Sequence, residues 1–380
     1  MITLRGHATI AALGAMALGA APLRAQGNLS TQGLGFPPGQ LSTKALSMGG
    51  SIGEVDATSP LNPAALSLLT TGLIAMQAEP EFREVRLGGK SQKTSVARFP
   101  LFFGSMPIGT RWHVAVSAST LFDRTWSTSA RDTQVVGVDT IGSTIDQRSD
   151  GSLVDLRIAT SYVLRPWLRI GLGSHTYSGQ TGLRTVYAFD DSVRFASDTQ
   201  RTTIGYGGSA LSLGVQTMWP KYGAIGMSYR RGGKLSTYTG TRETGTSSAP
   251  DHFGVSAVYL GIEGTTFAFR AATDKWSRSR SLSPSLRVHD GWDLGLGAEV
   301  RGPRFGSGAI AMRAGARWRT LPFSAGADAV KERAVSGGFG LPLARGRSEF
   351  NIGVVRAARS GIGGVSEDAW TLSTGFSVRP

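Results

Sequence analysis

Apolar and polar residues alternate with a period of two along much of the chain. The alternation is clearest in residues 292–301, where the apolar set is Trp292, Leu294, Leu296, Ala298 and Val300. The residues between them are small or charged, and residues 154–164 and 310–318 repeat the pattern. Because successive side chains of a strand point to opposite faces, each segment is predicted to be a strand with one apolar and one polar face.

Repeated over hairpins of about ten residues per strand, this alternation predicts an all-β protein. The expected fold is a transmembrane antiparallel β-barrel of about fourteen strands, with lipid outside and a polar lumen. The strands are expected near 72–84, 94–107, 110–126, 150–164, 166–178, 204–218, 222–232, 252–261, 264–274, 289–301, 307–319, 333–342, 348–359 and 368–379.

The predicted connections alternate between short turns and long polar segments. The long ones are 127–149, 179–203, 233–251, 275–288 and 320–332. This asymmetry is typical of outer-membrane barrels, which have short periplasmic turns and long external loops. An even strand count would place both chain ends on the periplasmic side.

The eight tryptophans are expected near strand ends. Trp112, Trp167 and Trp219 flank short turns, and the others flank long loops: Trp126, Trp276, Trp292, Trp318 and Trp370. Two aromatic girdles would explain this placement, because indole prefers the membrane interface. A soluble β-sandwich, the alternative for an all-β chain, would bury Trp in strand centres. The placement therefore favours the membrane barrel.

Residues 1–25 have the pattern of a secretory signal peptide. Arg5 and His7 precede an apolar run from Ala8 to Ala21, and the expected cleavage follows Ala25. That run is too short to span a bilayer, and no later segment approaches the ~20 apolar residues that a membrane helix needs. A spanning chain must therefore be a closed barrel. We expect export with a cleaved signal peptide to a Gram-negative-type cell outer membrane.

Composition excludes several kinds of site and partner. The chain has no cysteine, which excludes disulfides and thiolate metal sites, and we expect no metal and no cofactor. The 52 glycines suit tight turns and small inward side chains. A net charge of +14 would also suit nucleic-acid binding, but the arginines are dispersed and no nucleic acid partner is expected. The expected surroundings are outer-membrane lipid and anionic lipopolysaccharide.

The mature start does not alternate, so the chain divides into a signal peptide (1–25), an N-terminal segment (26–70) and a barrel (71–380). The N-terminal segment contains a motif with four parts: a small-residue stretch, Gly49-Gly50, Asp56 and Asn62-Pro63-Ala64.

This motif resembles the start of the FadL/TodX outer-membrane transport family and of the related PorV-like barrels. The resemblance implies a fourteen-stranded barrel plugged by an N-terminal hatch. It also implies passive uptake of hydrophobic molecules such as fatty acids or aromatic hydrocarbons. It covers the hatch by motif and the remaining chain only by architecture.

The motif also has a direct physical interpretation. Asn62 can cap a short helix, and Pro63 suits its first position. A capped helix inside the lumen would block free diffusion, and a ligand could displace it. Gly49 and Gly50 would let the hatch backbone pass close to the wall.

Strand parity points a set of charged side chains into the lumen: Asp155, Arg157, Arg169, His175, Arg230, Arg270, Asp293, Glu299, Arg313 and Arg317. Because opposite charges are mixed, one interpretation is a satisfied barrel interior held by ion pairs. The other is that some of the arginines bind a carboxylate head group through a bidentate contact.

No HExxH, GxSxG or P-loop motif occurs in the sequence, and we expect no enzyme and no catalytic residues. A barrel lipase or protease stays open, because a catalytic site is defined by geometry.

The expected function is a channel for passive uptake of hydrophobic small molecules, gated by the hatch. One alternative is a PorV-like docking or shuttle component of a protein secretion system, which would have an envelope protein partner. Another is a general porin, whose open lumen would conduct ions steadily.

Overall fold

A computed structural model of the chain describes residues 29–136, 139–282, 286–305, 308–361 and 364–380, so the predicted signal peptide lies outside the described residues. Fourteen strands form a closed antiparallel barrel, as the alternation predicted. In chain order they are β1 (Leu73–Leu87), β2 (Lys90–Ile108), β3 (Trp112–Asp123), β4 (Asp139–Arg165), β5 (Leu168–Phe189), β6 (Asp198–Trp219), β7 (Gly223–Thr239), β8 (Asp251–Ile262), β9 (Thr265–Lys275), β10 (Gly291–Phe305), β11 (Gly308–Thr320), β12 (Lys331–Leu343), β13 (Ser348–Ser360) and β14 (Ser366–Val378).

Each strand pairs with its neighbour in sequence, and β14 returns to β1. Ile74 pairs with Val378 and Arg86 pairs with Ser366, so the ring closes over the whole length of β1. Closure leaves no sheet edge that would expose backbone groups to lipid. We call the end with the long hairpins the outer end and the other the periplasmic end.

The long connections are more ordered than predicted. Strands β4 and β5, of 27 and 22 residues, extend far beyond the predicted spans and pair with each other out to Ser143 and Phe189. Two further strands lie in the long connections at the outer end. Trp126–Val136 pairs with β4, and Arg242–Ser248 pairs with β7. Polar composition suggested loops there, but a continued ladder satisfies the same backbone groups. A small separate ladder joins Arg287–Val288 to Phe323–Ser324.

The outward face of the barrel is apolar. On β10, Trp292, Leu294 and Leu296 are exposed, whereas Asp293 between them is half-buried. Six tryptophans are exposed, as expected for girdles. Trp126 and Trp276 are instead buried inside the barrel, which corrects the girdle prediction for these two.

The segment 29–72, which we call the hatch, lies inside the barrel. It contains helix α1 (Thr43–Ser47) and a 3₁₀ helix (Pro63–Leu68). Two other 3₁₀ helices, Trp276–Leu282 and Ala344–Gly346, lie in connections. None of the helices in the described ranges is long and apolar enough to cross a membrane.

Apolar side chains fill the outer part of the lumen above the hatch. We call this group the outer-lumen cluster: Leu34, Leu121, Phe122, Leu153, Tyr177, Tyr206, Ala210, Leu235, Ala249, Trp276, Val288 and Phe323. The ring of Trp276 lies 4.8 Å from that of Phe122, centroid to centroid. Trp276 is therefore inside because it covers this cluster. The hatch itself is seated by a second apolar group around Leu41, Met48, Ile52 and Leu61.

Candidate functional site

The Asn62-Pro63-Ala64 motif fastens the hatch to the wall. The Asn62 side chain accepts a hydrogen bond from the Ala64 amide at 3.0 Å and so caps the 3₁₀ helix, with Pro63 at its first position. Its Nδ2 donates to the carbonyls of Glu54 at 2.8 Å and Val215 at 3.1 Å. One side chain therefore both caps the helix and joins two hatch segments to β6.

Backbone packs directly on backbone where Gly49 meets the wall. Gly49 has φ +65°, and a Cβ there would lie 2.5 Å from the Ala316 carbonyl oxygen. On the wall, a Cβ at Gly315 would lie 2.2 Å from the Gly49 nitrogen. Contacts this close are possible only without a side chain on either partner. The Gly50 amide donates to the Ala45 carbonyl and closes the turn after α1.

The acidic residue that ties the hatch to the wall is Glu54 rather than Asp56. Asp56 accepts hydrogen bonds from the hydroxyls of Ser42 and Ser59, and so it stabilises the hatch internally. Glu54 is fully buried and pairs with Arg270 on β9 at 2.9 Å. Burial by itself would raise the pKa of Glu54, but the charge and hydrogen bonds of Arg270, together with His252 at 3.6 Å, lower it to about 2.

Five of the predicted lumen charges form ion pairs along this side of the wall. Arg270 also donates to Asp293 at 2.6 Å, and Asp293 in turn accepts from Arg317 at 2.6 Å. Further towards the periplasm, Arg313 donates to Glu299 at 2.6 Å. These contacts fit a satisfied barrel interior, and they leave little free charge on this side of the lumen.

On the opposite side, Asp155 gathers several donors. Gln40 of the hatch donates to it at 2.8 Å, and Arg230 lies 3.4 Å away. His175 Nδ1 bonds Asp155 at 2.9 Å, and its Nε2 lies 2.9 Å from Ser212 Oγ. The Asp155–His175–Ser212 chain has the connectivity of a catalytic triad. All three residues are buried, and Ser212 Oγ packs against Gly173.

Arg157 differs from the other buried arginines of the predicted set. It is 2% exposed, and within the described part of the chain none of its guanidinium nitrogens has a hydrogen-bond partner. A buried charge without a partner is costly. Arg169, towards the periplasmic end, is only half-buried, and its Nε and Nη1 also lack partners among the described residues.

The hatch also meets the wall where two strands separate. The ladder between β2 and β3 runs from Ile108 with Trp112 to Leu101 with Ser119, and among the described residues it stops there. Beyond that point the backbone of Phe36 pairs with Asp123, at N–O distances of 2.8 and 2.9 Å. The hatch therefore occupies part of the seam between β2 and β3, in the outer half of the wall.

A cavity of about 400 Å³ lies between the hatch and the periplasmic end. Its lining mixes apolar and charged side chains, among them Ile52, Lys44, Asp56, Glu299 and Phe376. The cavity offers space for a small molecule on the periplasmic side of the hatch. No group of three His, Asp or Glu residues that could hold a metal ion occurs in the described ranges.

The sequence patterns did not single out Glu54, Gln40, Ser212 or Phe36. A buried carboxylate eight residues before Asn62 gave no local signal, since acidic residues are ordinarily solvent-exposed. Ser212 lies at an inward position of a predicted strand, and the parity that selected His175 would have selected it had hydroxyls been included.

No protein-family model and no curated protein matches the sequence. Solved structures do match over nearly the whole chain. A FadL homologue from Pseudomonas aeruginosa has a TM-score of 0.61 at 12% identity, covering 91% of this chain and 99% of its own. The Ralstonia pickettii toluene transporter TbuX gives 0.61 at 13% identity, covering 91% and 98%. The Pseudomonas putida toluene transporter TodX gives 0.57 at 13%, covering 93% and 98%. The chain therefore has the FadL/TodX barrel fold that the hatch motif predicted.

Proposed function

We propose that the protein is an outer-membrane channel for passive uptake of hydrophobic small molecules, gated by the hatch. The observation that carries this proposal is the sequence of layers along the lumen. An apolar cluster at the outer end is followed by a hatch bonded to the wall and then by a periplasmic cavity. The fold shared with a FadL homologue and two toluene transporters supports it.

The layers suggest a route. A hydrophobic molecule would enter among the outer hairpins and partition into the outer-lumen cluster, because burial of apolar surface there is favourable. Displacement of the hatch would then open two exits. One leads to the periplasmic cavity, and the other leads through the seam between β2 and β3, which Phe36 partly fills.

Fatty-acid cargo adds a role for Arg157. An unpaired buried guanidinium is suited to a carboxylate head group, which it can hold through two hydrogen bonds. Among the buried arginines of the predicted set it has the least competition from acidic side chains. Neutral hydrocarbons would not need this contact.

The two alternatives have less support. A general porin needs an open lumen, whereas here Glu54, Asn62 and Gly49 hold the hatch against the wall. A PorV-like secretion component is not favoured by any contact described above, and the three similar structures named above are a FadL homologue and toluene transporters.

The experiment that tests the proposal locks the hatch. Thr43 Oγ1 of α1 lies 2.8 Å from Ser373 Oγ on β14. Because the native chain has no cysteine, Thr43→Cys with Ser373→Cys would form a single defined disulfide. The full-length protein is reconstituted into liposomes, and uptake of oleate, toluene and glucose is compared before and after reduction.

We expect the oxidised protein to block oleate and toluene and the reduced protein to restore them, with glucose excluded in both states. The matched controls are the two single-cysteine variants, which should transport in either redox state. Equal uptake with the hatch locked and free would overturn the gating proposal. Steady glucose passage and ion conductance would favour a porin instead.

A further inference from the structure

The ring of Phe36 lies among four arginine side chains from four different strands. The guanidinium carbons of Arg359, Arg319, Arg98 and Arg83 are 4.5, 4.8, 5.0 and 5.6 Å from its ring centroid. Phe36 is 3% exposed and the four arginines are also buried. We call these four residues the arginine cage. Cations at such distances are attracted to the ring electrons, and more strongly when they are desolvated.

Acidic side chains hold the arginine cage in place. Glu332 accepts from Arg319 at 2.5 Å and from Arg359 at 2.6 Å. Glu81 accepts from Arg83 at 2.7 Å, and it also pairs with Arg98. Because carboxylates hold the guanidinium groups by their N–H edges, the arrangement does not depend on Phe36 alone.

The arginine cage is joined to the hatch and the wall seam. Arg319 Nη1 donates to the Pro37 carbonyl at 2.7 Å. Arg98 Nε donates at 2.5 Å to Asp123, the residue whose backbone pairs with Phe36. Movement of the ring out of the cage would therefore release the hatch backbone from the seam between β2 and β3.

A phenylalanine side chain has the size and electronic character of toluene. A space that holds this ring is therefore shaped for a single-ring aromatic molecule. A cavity of about 50 Å³ beside the ring, lined by Phe36, Arg98, Arg319 and Arg359 among others, adds a margin of space. Because its walls are charged, the vacated site would hold water, and an aromatic molecule would displace that water and restore the cation–π contacts that Phe36 makes.

We propose that the arginine cage is a binding site for single-ring aromatic hydrocarbons, which Phe36 occupies as an internal ligand in the closed channel. Aromatic cargo competes with Phe36 for the arginines and thereby frees the hatch and the seam. This inference rests on the proposed transport function and names its substrate class and its trigger.

The first test empties the cage with Phe36→Ala and measures direct binding of toluene and methylcyclohexane to the purified full-length protein. The two ligands are similar in shape, but only toluene has ring electrons. We expect saturable toluene binding at one site, at least tenfold tighter than to the native protein and at least tenfold tighter than methylcyclohexane.

The matched control is Phe122→Ala, which empties a ring-sized space among Trp276 and Phe323 in the outer-lumen cluster, and no guanidinium of the described residues lies over the Phe122 ring. That cavity should bind the two ligands about equally. Equal affinity of both ligands for the Phe36→Ala protein would overturn the proposal, as would the absence of saturable toluene binding to it.

A second test uses the native chain and so does not depend on the folding of a variant. Lys44 is the only lysine or arginine between residues 29 and 72, so trypsin cleavage after Lys44 reports release of the hatch. Toluene should accelerate this cleavage several-fold, and methylcyclohexane at the same free concentration should not. Equal acceleration by both ligands, or by neither, would contradict the competition mechanism.

These results separate the two proposals. Selective toluene binding without hydrocarbon uptake in liposomes would leave the arginine cage in place and refute the transport function. Uptake of hydrocarbons without selective binding would do the reverse.

Discussion

Arg270 on β9 donates to both carboxylate oxygens of Glu54 in the hatch, from Nε to Oε2 at 2.9 Å and from Nη2 to Oε1 at 3.0 Å. The two residues are 216 positions apart in sequence, and both are buried. A bidentate pair of this kind fixes orientation as well as distance. It joins the hatch to the barrel wall electrostatically, so that changes at either residue should alter how firmly the hatch is held.

The first prediction concerns that pair. Glu54→Gln keeps the shape of the side chain but removes its charge, and Arg270 then retains only Asp293 as a charged partner. Removing one member of a buried ion pair costs about 3–5 kcal/mol, and the remaining partner should keep the cost near 3 kcal/mol. Trypsin cleavage after Lys44 should therefore become roughly 100-fold faster, since proteolysis follows the population of the open state.

The control for this variant is Glu349→Gln. Glu349 is partly exposed and lies 3.4 Å from Arg313, where an ion pair contributes little. Its cleavage rate should match that of the native protein. A Glu54→Gln protein with unchanged cleavage would mean that the glycine contacts and Asn62 hold the hatch without the ion pair.

Acid should release the hatch. The pKa of Glu54 falls from its ordinary value of 4.5 to about 2 when the hatch is docked. The released hatch therefore binds the proton more tightly, and docking weakens as the pH falls from about 5 towards 2. The full effect, present at neutral pH, is ~3 kcal/mol. Hydrogen exchange of the backbone amides around Lys44 measures this release in acid. Their exchange should increase more in the native protein than in Glu54→Gln as the pH falls through that range.

A single methyl group on the wall should unseat the hatch. A Cβ at Gly315 would meet the Gly49 nitrogen at 2.2 Å, so Gly315→Ala cannot be accommodated without a backbone shift. Overpacking of this kind costs about 1–3 kcal/mol, and Lys44 cleavage should rise by about tenfold or more. On the adjacent strand, Gly337→Ala would meet its nearest atom at 3.6 Å and should behave like the native protein. Equal behaviour of the two variants would show that the hatch tolerates displacement at Gly49.

The unpaired Arg157 should distinguish carboxylates from other amphiphiles. We expect the native protein to bind a long-chain fatty acid at least tenfold more tightly than the alcohol of the same length, because a buried bidentate contact is available only to the acid. Arg157→Met should remove that difference, whereas Arg169→Met, which is half-buried, should keep it. Isothermal titration in mild detergent measures both. Loss of the preference in Arg169→Met alone would move the carboxylate site towards the periplasmic end.

The Asp155–His175–Ser212 chain should be catalytically inactive. A Cβ on Gly173 would lie 2.5 Å from Ser212 Oγ, so the hydroxyl faces packed backbone where an acyl group would have to sit. A nucleophile needs room for the carbonyl carbon that it attacks. We therefore expect no labelling of the purified protein by a fluorophosphonate probe. Labelling that Ser212→Ala abolishes would mean that the lumen carries out acyl transfer.

Local sequence patterns were sufficient to predict the strands of the barrel and the helix cap in the hatch. The alternation around Trp292 and Asp293 has a period that only a strand produces, and fourteen strands follow from its repetition. The Asn62–Pro63 cap is equally local, because its donor and acceptor are two residues apart. Each of these features depends on near neighbours in the chain, and so the sequence carries them directly.

The same alternation could not predict which side chains contact each other inside the barrel. Trp126 and Trp370 both stand at strand ends, yet one is buried in the lumen and the other faces outward. Period-two patterning divides a strand into two faces, but closure of the barrel decides which residues of other strands each face meets. Glu54 met Arg270, and Phe36 met four arginines, only because the ring brings distant strands around one enclosed segment. The strands of the barrel wall can therefore be predicted from local alternation, whereas the contacts that seat the hatch form only on folding, since they join residues that the chain keeps far apart.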